Sequence, residues 1–381
     1  MRELYTAGQR VPVYAWSSAL NSETARQLVR IASQPWVSLR VAAMADAHVC
    51  KHVAVGTVFA AAHHVVPSAL GGDLGCGVRA VRFPGLADSV DRDGLEAMLA
   101  TLTRVIPVGD ALHRGAGALV PDGLFAAPLS TRALEHARVA LARRHLGTLG
   151  GGNHFVELAR AVDGDAWLLV HSGSRGLGKT IAQHHTGAAT ASDAGDLPAL
   201  DVRTPDGAAY LADLAWALEF ARHNRAELAR RAAEVITEAT GVTPAETVDV
   251  HHNHVARESH DGGEYLVHRK GAMPAGAGER GVIPGSMATA TYLVEGLGCA
   301  QAFASCSHGA GRVMTRKEAL QRVDLRAFDR QMRRVVHDRS KRRSLVEESP
   351  DAYRDIRAVL DDQRELVRPV TRLEPMLVLK G

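Results

Sequence analysis

In the stretch Gly71-Gly72-Asp73-Leu74-Gly75-Cys76-Gly77, a carboxylate and a thiol stand three residues apart on a glycine-rich turn. Turn glycines let both side chains converge on one point, as metal coordination requires. A tight turn around a buried cysteine is the plain alternative. Gly150-Gly151-Gly152-Asn153-His154 could offer backbone N–H groups to phosphate and His154 to a metal, although no Gly-Lys-Ser/Thr follows to make a P-loop. His171-Ser172-Gly173-Ser174-Arg175-Gly176 follows an apolar run, Trp167 to Val170, so His171 would leave a buried strand end with Arg175 four residues on. That pairing suits a metal ligand beside a phosphate clamp. In Asp249-Val250-His251-His252-Asn253-His254, strand alternation sends His251 and His252 to opposite faces, so only some of these histidines can share a centre. Finally, Ser305-Cys306-Ser307-His308-Gly309-Ala310-Gly311-Arg312 sets a histidine among small residues, open to a bulky ligand. An imidazole nitrogen can attack phosphorus directly if nearby cations offset the charge. Taken singly, each histidine is also compatible with a satisfied core residue or a loop position. Five such stretches in one chain shift the balance towards a site.

These groups need a scaffold. Apolar runs predict strands over Val78–Phe83, Ala166–His171, Thr247–His251 and Tyr265–Arg269. Helical spacing predicts Ser130–His145, with Ser130 or Thr131 as cap and Gly147 just past the end. It also predicts a longer helix over Ala209–Thr240, stopped by Gly241, and a third over much of Arg316–Lys341. Between His185 and Ala208 the Ala/Gly/Asp/Thr-rich chain reads as a loop or lid. Strands and helices do not alternate regularly, so the expected class is α+β, with mixed sheets and surrounding helices. No linker divides the chain, and residues 1–381 are expected to form one domain.

At 381 residues, 46% apolar and 23% charged, the composition is that of a globular protein. No apolar run is long enough to cross a bilayer and no signal-peptide pattern opens the chain, so we expect a cytoplasmic protein without membrane partners. The net charge of +3 decides little because 45 basic and 42 acidic residues nearly cancel. Their distribution says more: from Arg312 to Arg343 there are twelve Lys/Arg against four Asp/Glu. That run reads either as a solvated face or as a nucleic-acid contact. The four cysteines (Cys50, Cys76, Cys299 and Cys306) form no C-x-x-C pair, which excludes a zinc ribbon or thioredoxin-type motif. Free thiols or metal ligands are expected.

The five stretches, with His268-Arg269-Lys270-Gly271 and Ile283-Pro284-Gly285-Ser286-Met287, resemble the RtcB family of GTP-dependent RNA ligases, from near Trp36 to Lys380-Gly381. The resemblance implies two adjacent manganese ions. Cys76 would bridge them, with His171 and His252 on one and Asp73 and His154 on the other. Donor chemistry alone would point to zinc. It further implies that His308 carries GMP covalently, and that Asn153, Glu157, Ser286, Tyr353, Lys380 and the Gly309-Ala310-Gly311 backbone contact the guanine nucleotide. Arg175, Arg312 and Arg316 resemble arginines that handle phosphate or RNA. The implied partners are GTP and RNA ends bearing a 3′-phosphate or 2′,3′-cyclic phosphate and a 5′-hydroxyl, in RNA repair or tRNA splicing. A monomer is expected, with an activator protein as a possible partner. Met44-Ala45-Asp46-Ala47-His48-Val49-Cys50 departs from the family's Met-Pro-Asp-Val-His-Leu-Gly at Ala45 and Cys50. The departure implies a change of shape rather than loss of the site. A metal-dependent phosphoesterase or cyclic phosphodiesterase, and a non-catalytic RNA-binding relative, are the competing readings. His308, which hydrolysis does not need, separates the first from ligation, and the intact metal ligands argue against the second.

Overall fold

The computed structural model describes residues 1–4, 8–113, 121–192 and 197–381. Two mixed sheets dominate the described residues. The first has six strands in the spatial order Arg2–Leu4, Val13–Ala15, Val37–His48, Val55–Ala61, Gly263–Lys270 and Asn253–His260. The second has seven in line, Thr247–His251, Gly77–Phe83, Ala166–Ser172, Phe155–Ala161, Val367–Lys380, Thr291–Gly296 and Arg280–Ile283, with Val336–His337 paired parallel to the Val367–Lys380 strand. Antiparallel pairing prevails in both, as the irregular order of helical and strand patterns required. The four strands read from the sequence are all present, within two residues of their expected ends.

The long helix spans Pro205–Thr240. Thr204 caps it by accepting from the Gly207 N–H, Pro205 fills the first turn where no N–H is needed, and Gly241 ends it at φ +76°. Its buried Leu214, Ala217, Ala221, Arg225, Leu228, Ala232 and Val235 recur every three or four residues. This stripe packs on strands Ala166–Ser172 and Gly77–Phe83. Helix Arg132–His145 is capped by Thr131, matching the sequence pattern closely.

Two expectations fail. The segment expected to be a lid is helical at both ends: its start completes helix Leu177–Ser192, burying His185 and Ala189, its last residues open the long helix, and between them Leu200–Asp201 pairs with His64–Val65. Residues 193–196 lie outside the described residues. Alanines that read as featureless in a window are strong helix formers once one face is packed. The third helix, expected over Arg316–Lys341, is broken into Arg316–Arg322 and Leu325–Gln331, followed by short turns. Val323 is extended, and the Asp324 side chain caps a new helix by accepting from the Ala327 N–H; Asp338 likewise accepts from Ser340 N. Aspartates mid-pattern act as helix starts rather than as surface charge.

Beneath the metal-ligand candidates, the long helix contributes Arg225, whose side chain is fully buried. Its guanidinium donates to Asp249 at 2.6 and 2.9 Å and to the carbonyls of Gly75 (2.8 Å) and Ser172 (3.2 Å). It thereby ties helix, Cys76 turn and two strands together. Arg225→Ala should cost about 3 kcal/mol, the lower end for breaking a buried ion pair, because Asp249 keeps Arg79. Denaturant unfolding with an unchanged m-value checks this; a loss under about 1 kcal/mol would show that the network is dispensable.

Candidate active site

Three strand ends converge on one thiol. Cys76 immediately precedes strand Gly77–Phe83, whose neighbour Ala166–Ser172 brings His171 opposite Val78. Strand Thr247–His251 pairs on the other side, and the His252 N–H donates to the Cys76 carbonyl at 2.8 Å. His154 stands just before strand Phe155–Ala161. The Cys76 Sγ is then 3.2 Å from His171 Nε2 and 3.5 Å from His154 Nε2. His171 Nε2 lies 3.4 Å from His252 Nε2, and His154 Nε2 lies 2.9 Å from Asp73 Oδ2. Two donor triads result, Cys76/His171/His252 and Asp73/Cys76/His154, sharing the sulfur, with the donor atoms of each within 4.8 Å of one another.

The hydrogen bonds decide what these atoms can accept. His154 Nδ1 donates to the Leu149 carbonyl (2.9 Å) and His171 Nδ1 to the Asn153 carbonyl (3.1 Å). Each ring therefore turns an Nε2 lone pair towards sulfur, carboxylate or another lone pair. Burial, with neighbouring histidines, holds the His171 and His252 imidazoles well below the usual histidine range, so they stay neutral. Burial and the Asp73 carboxylate push the Cys76 thiol up. Against burial, His154 keeps Asp73 well below the usual carboxylate range. The one thiol proton cannot satisfy every sulfur, nitrogen and carboxylate atom turned inward, a poor arrangement for the protein alone and a good one for cations that displace it. Gly173 makes room for it: a Cβ there would lie 2.2 Å from Asp73 Oδ1. As alternation demanded, His251 turns away from the cluster, its Nδ1 lying 2.9 Å from the Gly75 carbonyl oxygen and 3.3 Å from the Arg225 guanidinium.

His308 adjoins the cluster, its ring centroid 4.8 Å from that of His252. Its Nδ1 lies 2.6 Å from Oδ2 of Asp46, whose side chain is fully buried. The backbone of Gly311 passes so close to Asp46 that a Cβ there would fall 2.7 Å from the Asp46 carbonyl, and its φ is +73°. Only glycine fits both conditions. Asp46 reaches His308 and His48 lines the cavity, both despite Ala45 and Cys50. Cys50 lies on the cavity wall, half-buried.

A cavity of about 350 Å³ opens over both clusters. Its wall includes Asn153, Glu157, Ser286, Tyr353 and Lys380, the Gly309-Ala310-Gly311 backbone, Arg312 and Arg316. Arg175 is not on this wall. It lies behind His154, donating to Thr148 Oγ1 at 3.0 Å and the Gly109 carbonyl at 3.2 Å. Sequence reasoning missed Glu348, the hub of the far wall. This buried carboxylate accepts from Lys380 (3.0 Å), Tyr353 (2.6 Å) and Arg312 (3.1 Å). Those partners keep it ionised against the effect of burial. No spacing of residue types marks Glu348, since its partners come from 36, 5 and 32 residues away.

The comparisons with known proteins fit this geometry. The profile of the family described as "tRNA-splicing ligase RtcB" matches residues 27–381. This chain belongs to the RtcB family. It is 33% identical to the RNA-splicing ligase RtcB of Escherichia coli (strain K12), across 100% of this chain and 99% of that protein. It is 32% identical to the Mycobacterium tuberculosis RNA-splicing ligase RtcB, covering 93% of this chain and all of the relative. The tRNA-splicing ligase RtcB of Thermococcus kodakarensis is 28% identical over 94% of this chain and 91% of its own length. No helix among the described residues is long and apolar enough to cross a membrane.

Cys76→Ser is expected to lower metal affinity by more than the roughly 10-fold typical of losing an outer-sphere partner, because the sulfur belongs to both triads. Cys50→Ser and Cys306→Ser should keep wild-type metal content; equal content in all three variants would remove the shared-ligand role. A second expectation concerns Glu157, which burial pushes up to about 8 despite Lys380 nearby. A raised carboxyl pKa means the native state binds the proton more tightly than the unfolded chain. The associated stability is present below the unfolded value of about 4.5 and lost as pH rises through about 8. Glu157→Gln should therefore flatten the fall in thermal stability between those limits. Parallel melting curves for wild type and variant across that range would contradict it.

Proposed function

We propose that this RtcB-family chain is an RNA ligase. It would join an RNA 3′-phosphate, or a 2′,3′-cyclic phosphate first opened to one, to a 5′-hydroxyl, using GTP and two manganese ions in RNA repair or tRNA splicing. The observation that carries this reading is His308. It lies beside the metal-type cluster with Nδ1 2.6 Å from the buried Asp46 carboxylate, on the wall of the cavity that Glu157, Tyr353 and Lys380 also line. A hydrolase needs no such imidazole.

The roles follow from the chemistry of each group. A carboxylate can only accept, so Asp46 keeps the proton on Nδ1 and leaves the Nε2 lone pair as nucleophile. Nε2 attacks the α-phosphorus of GTP, forming an N–P bond as pyrophosphate leaves, and the Asp46 charge stabilises the imidazolium that develops. The RNA 3′-phosphate then takes GMP from His308, and the 5′-hydroxyl attacks the activated end and releases GMP. Asp73, Cys76, His154, His171 and His252 would hold the ions, which supply Lewis-acid neutralisation of phosphoryl charge. Asn153, Glu157, Ser286, Tyr353, Lys380 and the Gly309-Ala310-Gly311 backbone would receive the guanine nucleotide. Arg312 and Arg316 on the wall would meet phosphate oxygens, whereas Arg175 would support the site from behind His154.

Incubation with labelled GTP and manganese, followed by a denaturing gel, tests the reading. Wild type should retain label that is acid-labile and alkali-stable, as a phosphoramidate is. His308→Ala should retain none, with folding and metal content near wild type. Label persisting on His308→Ala would refute the nucleophile assignment.

A further inference from the structure

The segment from Arg316 to Arg343 is both part of the cavity wall and the most basic part of the chain. It leaves the wall at Arg316 and returns to it at Glu348, with helix Arg316–Arg322 packed on the turn Val346–Glu348. Phe328, Met332, Val335, Leu345 and Val346 form the apolar floor of this small unit, with Met287 and Val378 beneath. Its cations are left outside.

Three features separate this face from an ordinary solvated surface. First, Arg326, Arg330, Arg333, Arg334, Arg339 and Arg343 are exposed and have no acidic partner among the described residues, in a chain whose acids and bases are nearly equal in number. Second, Arg326 and Arg330 stand four apart on helix Leu325–Gln331, a like-charge spacing that destabilises a helix. The Arg342–Asp329 bridge (3.4 Å) then draws the Arg339–Arg343 stretch against the same helix, concentrating the charge further. Third, ten of the twelve cations between Arg312 and Arg343 are arginines, whose planar fork matches phosphate. The segment 316–343 has no Tyr or Trp and its Phe328 is buried, so no Phe, Tyr or Trp ring lies on this face for bases to stack on.

Resting on the ligase reading above, we infer that this face binds the sugar-phosphate backbone of the single-stranded RNA leading into the cavity, without regard to base sequence. The end being joined sits at His308. The strand behind it runs out past Arg316 over the arginine face, so that affinity comes from phosphate neutralisation several nucleotides from the reacting bond.

The test uses full-length protein with Arg326→Gln, Arg330→Gln, Arg339→Gln and Arg343→Gln combined, none of them on the cavity wall. Binding of oligo(U) and oligo(C) is titrated against salt, beside GTP labelling and a thermal melt. Four lost phosphate contacts should make the slope of log K against log [salt] shallower by about 3, equally for both oligonucleotides. Labelling and melting should be unchanged, and the corresponding four Arg→Lys changes should restore most of the slope. A wild-type slope in the Gln variant, with labelling intact, shows a solvated face and overturns this inference alone. A strong preference for one oligonucleotide overturns the backbone mode. A wild-type protein that takes no label overturns the ligase reading itself, whatever the slope.

Discussion

The structure turns on the crowding of electron pairs around the Cys76 sulfur. Within about 3.5 Å, two imidazole nitrogens approach it, and a third imidazole and a carboxylate complete the shell. With Nδ1 of His154 and His171 committed to backbone carbonyls, the inward-facing atoms repel one another unless a positive charge sits among them. The fold must hold this arrangement against its own electrostatics. It does so with antiparallel strands whose register is fixed on both sides of Cys76, and with Arg225 beneath, neutralised by Asp249. Strand ends suit the task because their backbones are rigid while their last side chains lie free of the ladder.

The far wall solves the opposite problem. Lys380, Arg312 and Arg316 gather where an anionic ligand would enter, and unpaired they would repel. Glu348 bridges Lys380 and Arg312 by hydrogen bonds and, with Glu347, lies 3.8 Å from Arg316, with Tyr353 as a further donor. Lys380 lies at the end of the long Val367–Lys380 strand, next to the chain terminus, and is held there by pairing with Phe155–Ala161. Cations organised in advance by one carboxylate lose little entropy when phosphate arrives.

His308 joins the two walls. Small residues before and after it give the ligand room, and the same smallness permits the close backbone passage of Gly311 over Asp46. Ala45, in place of the family's proline, is fully buried, and its carbonyl accepts from Arg354 at 3.1 Å. That anchor accounts for the position of Asp46 without the rigidity of a proline ring. Cys50 lines the cavity, half-buried, and belongs to neither donor triad.

Local chemistry determined the most about which residues matter. Glycine-bounded Asp, Cys and His stretches announce themselves because glycine and histidine together are costly for a core and useful for a site. The strands carrying Cys76 and His171, and the capped helices ending at His145 and Thr240, follow from apolar period and end signals. Only the tertiary structure decided what those signals do not encode. Which of His251 and His252 faces the cluster was fixed by pairing with Gly77. Arg175 was sent behind His154 by its hydrogen bonds to Thr148 and Gly109. Glu348 became a hub through partners remote in sequence, and the expected third helix broke where Asp324 and Asp338 found N–H groups to cap. Residue type and local period are properties of a window of sequence; the partner of a charge is a property of the packed chain.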